Sequence, residues 1–427
     1  MSIKIELSSL TNDIAAKIEK ELTIDILADP KKAKMRGGCG ASKFVEIFDR
    51  DNVHGYIPFA YAKANNLKAI KDGLHKQINA PFTGELREHQ KTVKSEAIDH
   101  LNKHGTTIIS CYPGFGKTLT GIYLASKIKL QTLIVINLLV LKDQWIESIH
   151  KFCPTATVSF LDPRKQPDFT ADFLIVNAIN VPKFGREALA TVGMVIVDEV
   201  HLIMSEVLSQ SLFYVCPRYL LGLSATPYRQ DGMDILLTLF FTENRIVRKM
   251  FRKHLVYRIA TNIQPEVEYD RTGKVNWNSI IDSLSNNEVR NNKIVEVIRT
   301  YKTRNFLVLC KRISQAKYIY EKLLEFEESV SLYVEKSTTF DKDARILVGT
   351  VKKLGVGFDH QKLDTLFAAV DLESYFIQYL GRIFRTPDGV EPIVFDMLDD
   401  NTILKRHCKT REKVYKETGG VIKELTM

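Results

Sequence analysis

Thr106-Thr107-Ile108-Ile109-Ser110 runs into Cys111-Tyr112-Pro113-Gly114-Phe115-Gly116-Lys117-Thr118-Leu119, and this join decides the fold. An apolar strand, a glycine-bearing turn and a helix from Leu119 to Ile128 make the strand–loop–helix unit whose backbone N–H groups close on a phosphate. In that reading Gly114 and Gly116 let the backbone approach and the helix N-terminus adds positive potential. Lys117 bridges the β- and γ-phosphates and Thr118 ligates Mg2+. Gly-Lys-Ser/Thr alone arises by chance on the order of 0.2 times in a chain this long, so the flanking strand and helix carry the reading. The full pattern has Gly where this chain has Cys111.

Outward from the loop the pattern of strand, turn and helix repeats. Thr132 to Asn137, Phe173 to Val176, Met194 to Val197 and Tyr219 to Leu223 are short apolar strands, and Leu138 to His150 is amphipathic with Leu141, Trp145 and Ile149 four apart. Strands alternating with helices predict a parallel sheet. Asn262 to Asn286 holds Pro265, Gly273 and several Asn and Ser, which predicts an interdomain connection. A second α/β run follows, with strands at Phe306 to Cys310, Arg345 to Thr350, Thr365 to Val370 and Pro392 to Phe395, and helices at Gln315 to Phe326 and Glu373 to Ile383. Thr402 to Lys416 is a basic helix that packs across a domain or touches phosphate. The expected division is therefore an N-terminal accessory module at 1–80, a first lobe at 81–262, a second at 286–400 and a basic tail at 401–427. The accessory module mixes a helix (Asp13 to Leu22) with β-like runs at Phe44 to Phe48 and Tyr56 to Phe59. Its basic, glycine-rich Lys31 to Gly40 reads first as a solvated turn, with a DNA-contacting loop as the alternative.

Three further clusters belong to the same chemistry. Val195-Ile196-Val197-Asp198-Glu199-Val200-His201 ends an apolar strand in two carboxylates, at the sheet edge where ligands bind. Asp198 is expected to hold Mg2+ and Glu199 to polarise an attacking water. Ser224-Ala225-Thr226-Pro227 follows another apolar strand, and His201 is expected to link the nucleotide site to Ser224 and Thr226. In Gln378-Tyr379-Leu380-Gly381-Arg382-Ile383-Phe384-Arg385, four- and three-residue steps set Gln378, Arg382 and Arg385 on nearly one helical face. Guanidiniums there can stabilise charge on a transferring phosphate.

Composition bounds the rest. The 427 residues are 45% apolar and 26% charged, enough for two to four domains with ordinary cores. A net charge of +9 suits a phosphate-rich partner without deciding for one. Cysteines at 39, 111, 153, 216, 310 and 408 form no Cys-x-x-Cys pair, which predicts reduced thiols and no zinc site. The charged start Met1-Ser2-Ile3-Lys4-Ile5-Glu6 is unlike a secretory leader. Leu133 to Leu141 is too short to span a bilayer.

The ordered set resembles the superfamily 2 helicases and translocases of the DExH type, with Asp198-Glu199-Val200-His201 as the box. The resemblance covers Leu86 to the end of the chain and implies two tandem RecA-like α/β lobes using ATP and Mg2+. Leu86-Arg87-Glu88-His89-Gln90 is similar to the adenine-sensing segment, which implies Arg87 and Gln90 near the base. Leu141, Gln144 and Trp145 resemble the segment that grips the nucleic-acid backbone. Thr350 and Gly355-Val356-Gly357-Phe358-Asp359 resemble the motif that implies Thr350 on a phosphate and Asp359 near the ribose or domain interface. Gly222 to Asp234 resembles the XPB-like branch, and with the C-terminal Lys405 to Gly419 is most similar to the transcript-release helicases of poxviruses and related large DNA viruses.

That branch implies a DNA-dependent ATPase moving 3′ to 5′ on single-stranded or duplex DNA in transcription or repair, with a transcription-machinery partner and no membrane. It also implies a cytoplasmic or nuclear place, or a virus factory or virion. The alternatives are an RNA helicase and the motor subunit of a restriction-type nuclease. Asp396, Asp399 and Asp400 lie too near the last strand of the second lobe to make a convincing nuclease cluster.

Overall fold

The computed structural model describes every residue except 26–43, 71–74, 205–207, 226–233, 244, 336, 338, 356–359, 361, 373–375, 386–388 and 427. Thr226, Asp359 and the basic run Lys31 to Gly40 therefore lie outside the described residues. The chain forms two compact units, Met1–Cys111 with Phe115–Arg248, and Tyr112–Gly114 with Lys249–Met427.

The first unit opens with β1 (Ser2–Glu6), β2 (Thr23–Asp25), β3 (Phe44–Glu46), β4 (Asp49–Arg50) and β5 (His54–Pro58), paired antiparallel as β1-β5-β4 and β2-β3. Then come β6 (Thr106–Cys111), β7 (Thr132–Ile136), β8 (Val158–Leu161), β9 (Phe173–Asn177), β10 (Met194–Val197), β11 (Tyr219–Ser224) and β12 (Arg245–Arg248). These seven pair in the order β12-β6-β11-β10-β7-β9-β8, every pair parallel. β6, β7 and β10 are buried along their whole length, so β7 and β10 read as near-continuous apolar runs and β6 buries its Thr and Ser beside Ile108 and Ile109.

The antiparallel strands share this unit's core. Met1, Ile3, Ile5, Tyr56 and Phe59 lie in one buried cluster with Leu212, Phe213, Phe240 and Phe241. Ser2 N–H donates to Val215 O at 3.1 Å. Arg186 pairs with Asp49 and sets its guanidinium 3.8 Å from the Tyr56 ring centre and 4.7 Å from that of Tyr214. Aromatic contact and ion pair together fasten the antiparallel strands to the parallel sheet.

The second unit contains β13 (His254–Ala260), β14 (Phe306–Cys310), β15 (Val330–Tyr333), β16 (Ile346–Thr350), β17 (Thr365–Ala368), β18 (Ile393–Leu398) and β19 (Gly420–Leu425). They too are all parallel, in the order β15-β16-β14-β17-β18-β13-β19. One buried cluster holds Leu307, Leu366 and Leu380, and another holds Val308, Ile319 and Phe395. The expected α/β class, two parallel-sheet lobes and a small mixed N-terminal part, is what the chain forms.

The change of unit falls at Arg248–Lys249, ahead of the composition break at Asn262 to Asn286. β13 precedes that break yet pairs with β18 and β19, so the polar, Asn-rich stretch lies within the second unit. Part of it is the helix Trp277–Asn286, whose buried face is Ile280, Ile281 and Leu284. The basic tail is also structural. Helix Thr402–Glu417 buries Leu404, His407, Arg411 and Tyr415, and β19 closes one side of the sheet.

Candidate active site

The loop after β6 turns on Gly116, which has φ 91° and caps the helix Lys117–Ile128. A Cβ at this position would lie 2.3 Å from Gln90 Nε2, so both backbone angle and space require glycine. Gln90 is buried at the start of helix Glu88–His104. Its Nε2 donates to Phe115 O at 3.1 Å and Gly116 O at 3.4 Å, and its Oε1 accepts from Arg87 N–H at 2.9 Å. The side chain thus braces the loop, while Arg87 is exposed at the helix start.

Lys117 Nζ donates to Cys111 O at 2.9 Å, which keeps the ammonium inside the loop. Cys111 ends β6 and pairs with Arg248 of β12, an extended position that makes no demand for glycine. Burial pushes its thiol up to about 12, so it stays neutral and inert beside the loop. Thr118 follows Lys117 in the first helical turn, half-buried.

β11 lies between β6 and β10, with Ser224 opposite Ser110 and Gly222 opposite Val197. The C-terminal ends of these three strands therefore gather the loop, Ser224, Asp198 and Glu199 on one sheet edge. Asp198 Oδ1 accepts from Glu199 N–H at 2.9 Å, and Oδ2 accepts from the buried Trp145 indole N–H at 2.8 Å. Burial, followed by the neighbouring Glu199 charge, raises the Asp198 carboxyl to about 6. The Trp145 donor and Lys117 oppose the rise.

Glu199 has φ 44° and ψ 52°, a left-handed conformation uncommon outside glycine. Strained residues of this kind cluster where function holds them. Among the described residues its buried Oε2 makes no hydrogen bond. His201 Nδ1 is 2.9 Å from Ser224 Oγ and 3.5 Å from Glu199 Oε2, so the serine, histidine and glutamate form one chain of contacts.

These groups fit a magnesium nucleotide. Mg2+ takes oxygen ligands from one or two carboxylates and from substrate phosphates. Asp198 supplies an aimed carboxylate, Thr118 a hydroxyl, and Lys117 with the turn at Gly116 the phosphate cradle. Glu199 Oε2 makes no hydrogen bond among the described residues, with His201 Nδ1 3.5 Å away, and so has lone pairs left to accept from a water.

In the second unit Gln378, Arg382 and Arg385 fall on or just after the helix Phe376–Ile383, with Arg382 buried and the other two half-buried. Tyr379 Oη donates to Val351 O at 2.9 Å, tying this helix to the residue after Thr350. Thr350 ends β16 and is buried, whereas Gln144 in the first unit is exposed on helix Val140–Phe152. Asp396 accepts from Arg411 and Tyr415, and Asp399 from Arg290 and Thr261, so both are taken up by buried structural bonds. Among the described residues no group of three or more His, Cys, Asp or Glu is placed to hold a metal ion. The bond between Trp145 and Asp198 is the contact that sequence spacing did not indicate. In the sequence Trp145 is legible as a helix position four from Leu141 and Ile149 and as part of the segment resembling a nucleic-acid grip, not as a partner of Asp198.

Comparison with known proteins follows the geometry. The chain is 38% identical to "Putative helicase 161L" of Invertebrate iridescent virus 6, across 100% of both proteins. It belongs to the superfamily 2 helicases of large DNA viruses. This helicase is also 34% identical to "Putative helicase 055L" of Frog virus 3 over 86% of each chain. It is 26% identical to "Transcript termination protein A18" of Fowlpox virus, over 85% of this chain and 87% of that one. The family described as "Type III restriction enzyme, res subunit" matches residues 83–229. Among solved structures, S. cerevisiae Dbp5 bound to RNA and ADP BeF3 aligns over 78% of this chain and 89% of that one with a TM-score of 0.56 and 14% identity. At that identity the likeness speaks for the tandem RecA-like fold alone. The helicase is accordingly an ATPase by family. Among its described residues no helix is long and apolar enough to cross a membrane.

Proposed function

We propose that this helicase is a DNA-dependent ATPase that uses ATP and Mg2+ to move 3′ to 5′ along DNA at transcription or repair intermediates, beside a transcription-machinery partner in the virus factory or virion. The observation that carries the ATPase chemistry is the single sheet edge on which Lys117, Asp198 and Glu199 meet. The preference for DNA and for transcription draws on the similarity to the fowlpox transcript termination protein.

The loop N–H groups and Lys117 hold the β- and γ-phosphates, and Thr118 and Asp198 hold Mg2+. The metal, when bound, neutralises charge building on the phosphate oxygens. Glu199 Oε2 orients a water for in-line attack and takes up its proton. Arg382 and Arg385 supply cations to the transferring phosphoryl group, with Gln378 on the same helical face to orient the water. His201 passes the state of Glu199 to Ser224 and on to Thr226. Arg87 and Gln90 serve the base side, and Asp359 the ribose side. Gln144 and Thr350 are proposed to meet the nucleic-acid backbone, so binding is independent of sequence.

A second reading is an RNA helicase, favoured by 28% identity over 79% of this chain to "Putative ATP-dependent RNA helicase L396" of Acanthamoeba polyphaga mimivirus. ATPase rates with single-stranded, duplex and forked DNA and with RNA decide between them. Stimulation by DNA well above RNA is expected. Stimulation by RNA alone establishes the second reading, and stimulation by neither overturns both.

A further inference from the structure

Helix Val140–Phe152 serves two environments through adjacent residues. Gln144 is exposed, and Trp145 is 1% exposed with its Nε1–H donating to Asp198 Oδ2 at 2.8 Å. Leu141, Trp145 and Ile149 form the buried face that holds the helix on the sheet. A buried indole N–H must find an acceptor, and here it finds a carboxylate fixed from the other side by Glu199 N–H. One N–H on each oxygen sets the rotation of the carboxylate. Each oxygen keeps a lone pair for a further ligand. Such outer partners orient metal ligands and tune their affinity.

We propose that Trp145 is a positioning residue that aims the Asp198 carboxylate at the magnesium nucleotide and couples it to the nucleic-acid-facing side of its own helix. The inference rests on the assignment of Asp198 to the metal. A displacement of the helix by a strand lying on Gln144 moves the indole donor, and the donor moves the carboxylate. The coupling is reciprocal, so a bound strand changes the affinity for Mg2+ by the factor by which Mg2+ changes the affinity for the strand.

The test uses the full chain and binding in place of turnover. Calorimetric titration measures ADP affinity as a function of Mg2+ for the unaltered protein, Trp145→Phe and Asp198→Ala. Trp145→Phe keeps an apolar ring and removes the donor, and is expected to raise the half-saturating Mg2+ about tenfold while leaving ADP affinity in EDTA unchanged. Loss of the Mg2+ dependence in Asp198→Ala with none of this rise in Trp145→Phe overturns the inference. A Mg2+ dependence that survives Asp198→Ala overturns the metal assignment beneath it.

A second arm avoids altering Trp145. Trp277 lies in the other unit, so Trp277→Phe leaves Trp145 as the only one of two tryptophans. Its emission is expected to shift when Mg2+ is added to the ADP complex and again when an oligo-dT strand is added. Emission unmoved by both additions overturns the proposal even if Trp145→Phe fails to fold.

Discussion

Asp198 is held by forces that oppose one another. Burial and the Glu199 charge raise its carboxyl to about 6, while the bonds from Trp145 and Glu199 N–H and the Lys117 charge favour the ionised form. The folded value lies above the ordinary 3.8, so between 3.8 and about 6 the folded chain keeps a proton that the unfolded chain has lost. This group's contribution to stability therefore falls as pH climbs through that window. In its proposed role at Mg2+ the dependence runs the other way, because a carboxylate ligand must be ionised. Below pH 6 each bound Mg2+ displaces a proton, and half-saturating Mg2+ for ATPase should rise roughly tenfold per unit of acidity. Rates across pH 5 to 8, corrected for protonation of ATP itself, check this, and a flat Mg2+ requirement contradicts it. Lys117→Ala is expected to cut turnover by at least about a hundredfold, since in the proposed cradle it removes the cation beside the transferring phosphate. Its bond to Cys111 O is half-buried and local to the loop, so the variant should melt close to the parent. A retained rate refutes the cradle.

At the scale of elements, the central strands other than β13 were legible and the edges were not. β6, β7, β10 and β14 are buried throughout, and β7, β10 and β14 appear in the sequence as near-continuous apolar runs. All four edge strands, β12, β8, β15 and β19, escaped that reading. An edge strand has one open side, so it can carry charge, as Arg245 and Arg248 do in β12 and Lys423 and Glu424 in β19, or be a four-residue run broken by a serine, as in β8 and β15. Single-strand patterning is silent about such positions. The site shows the same division. Lys117 opens the helix after an apolar strand, and Asp198 and Glu199 follow the end of another, so these positions could be found there. The indole bond to Asp198 joins residues 53 apart in sequence, a distance no local pattern bridges. The sequence leaves helix Thr402–Glu417 either packing across a domain or touching phosphate, and its buried side packs within the second unit. Arg411 binds Asp396 through Nε and Nη2 and reaches Asp371 through Nη1, while His407 Nδ1 meets Asp371 at 2.6 Å. Arg411→Ala leaves these carboxylates buried without their cation and should cost about 3–5 kcal/mol. Calorimetric unfolding of the second unit reports the loss. A change under about 1 kcal/mol, the range of a surface pair, would show that the cluster contributes little.

For the whole molecule the net charge of +9 is too small to name a partner. The way affinity responds to salt is more telling. A helicase that walks on any sequence must draw its binding from phosphates, because base edges differ at every step. Each phosphate neutralised releases counterions, and single strands give a log–log slope near −0.7 per contact. If residues such as Gln144 and Thr350 stand within a track of about five phosphates, affinity should fall about a hundredfold between 50 and 200 mM salt. Strands of unrelated sequence should bind within a few-fold of one another at each salt concentration. Fluorescence anisotropy of labelled oligonucleotides, with a non-hydrolysable nucleotide present, measures both properties in one titration. A steep slope with uniform affinities supports a backbone-tracking motor. A shallow slope with a strong sequence preference would instead mean that bases carry the recognition, and translocation along arbitrary DNA would have no physical basis in this chain.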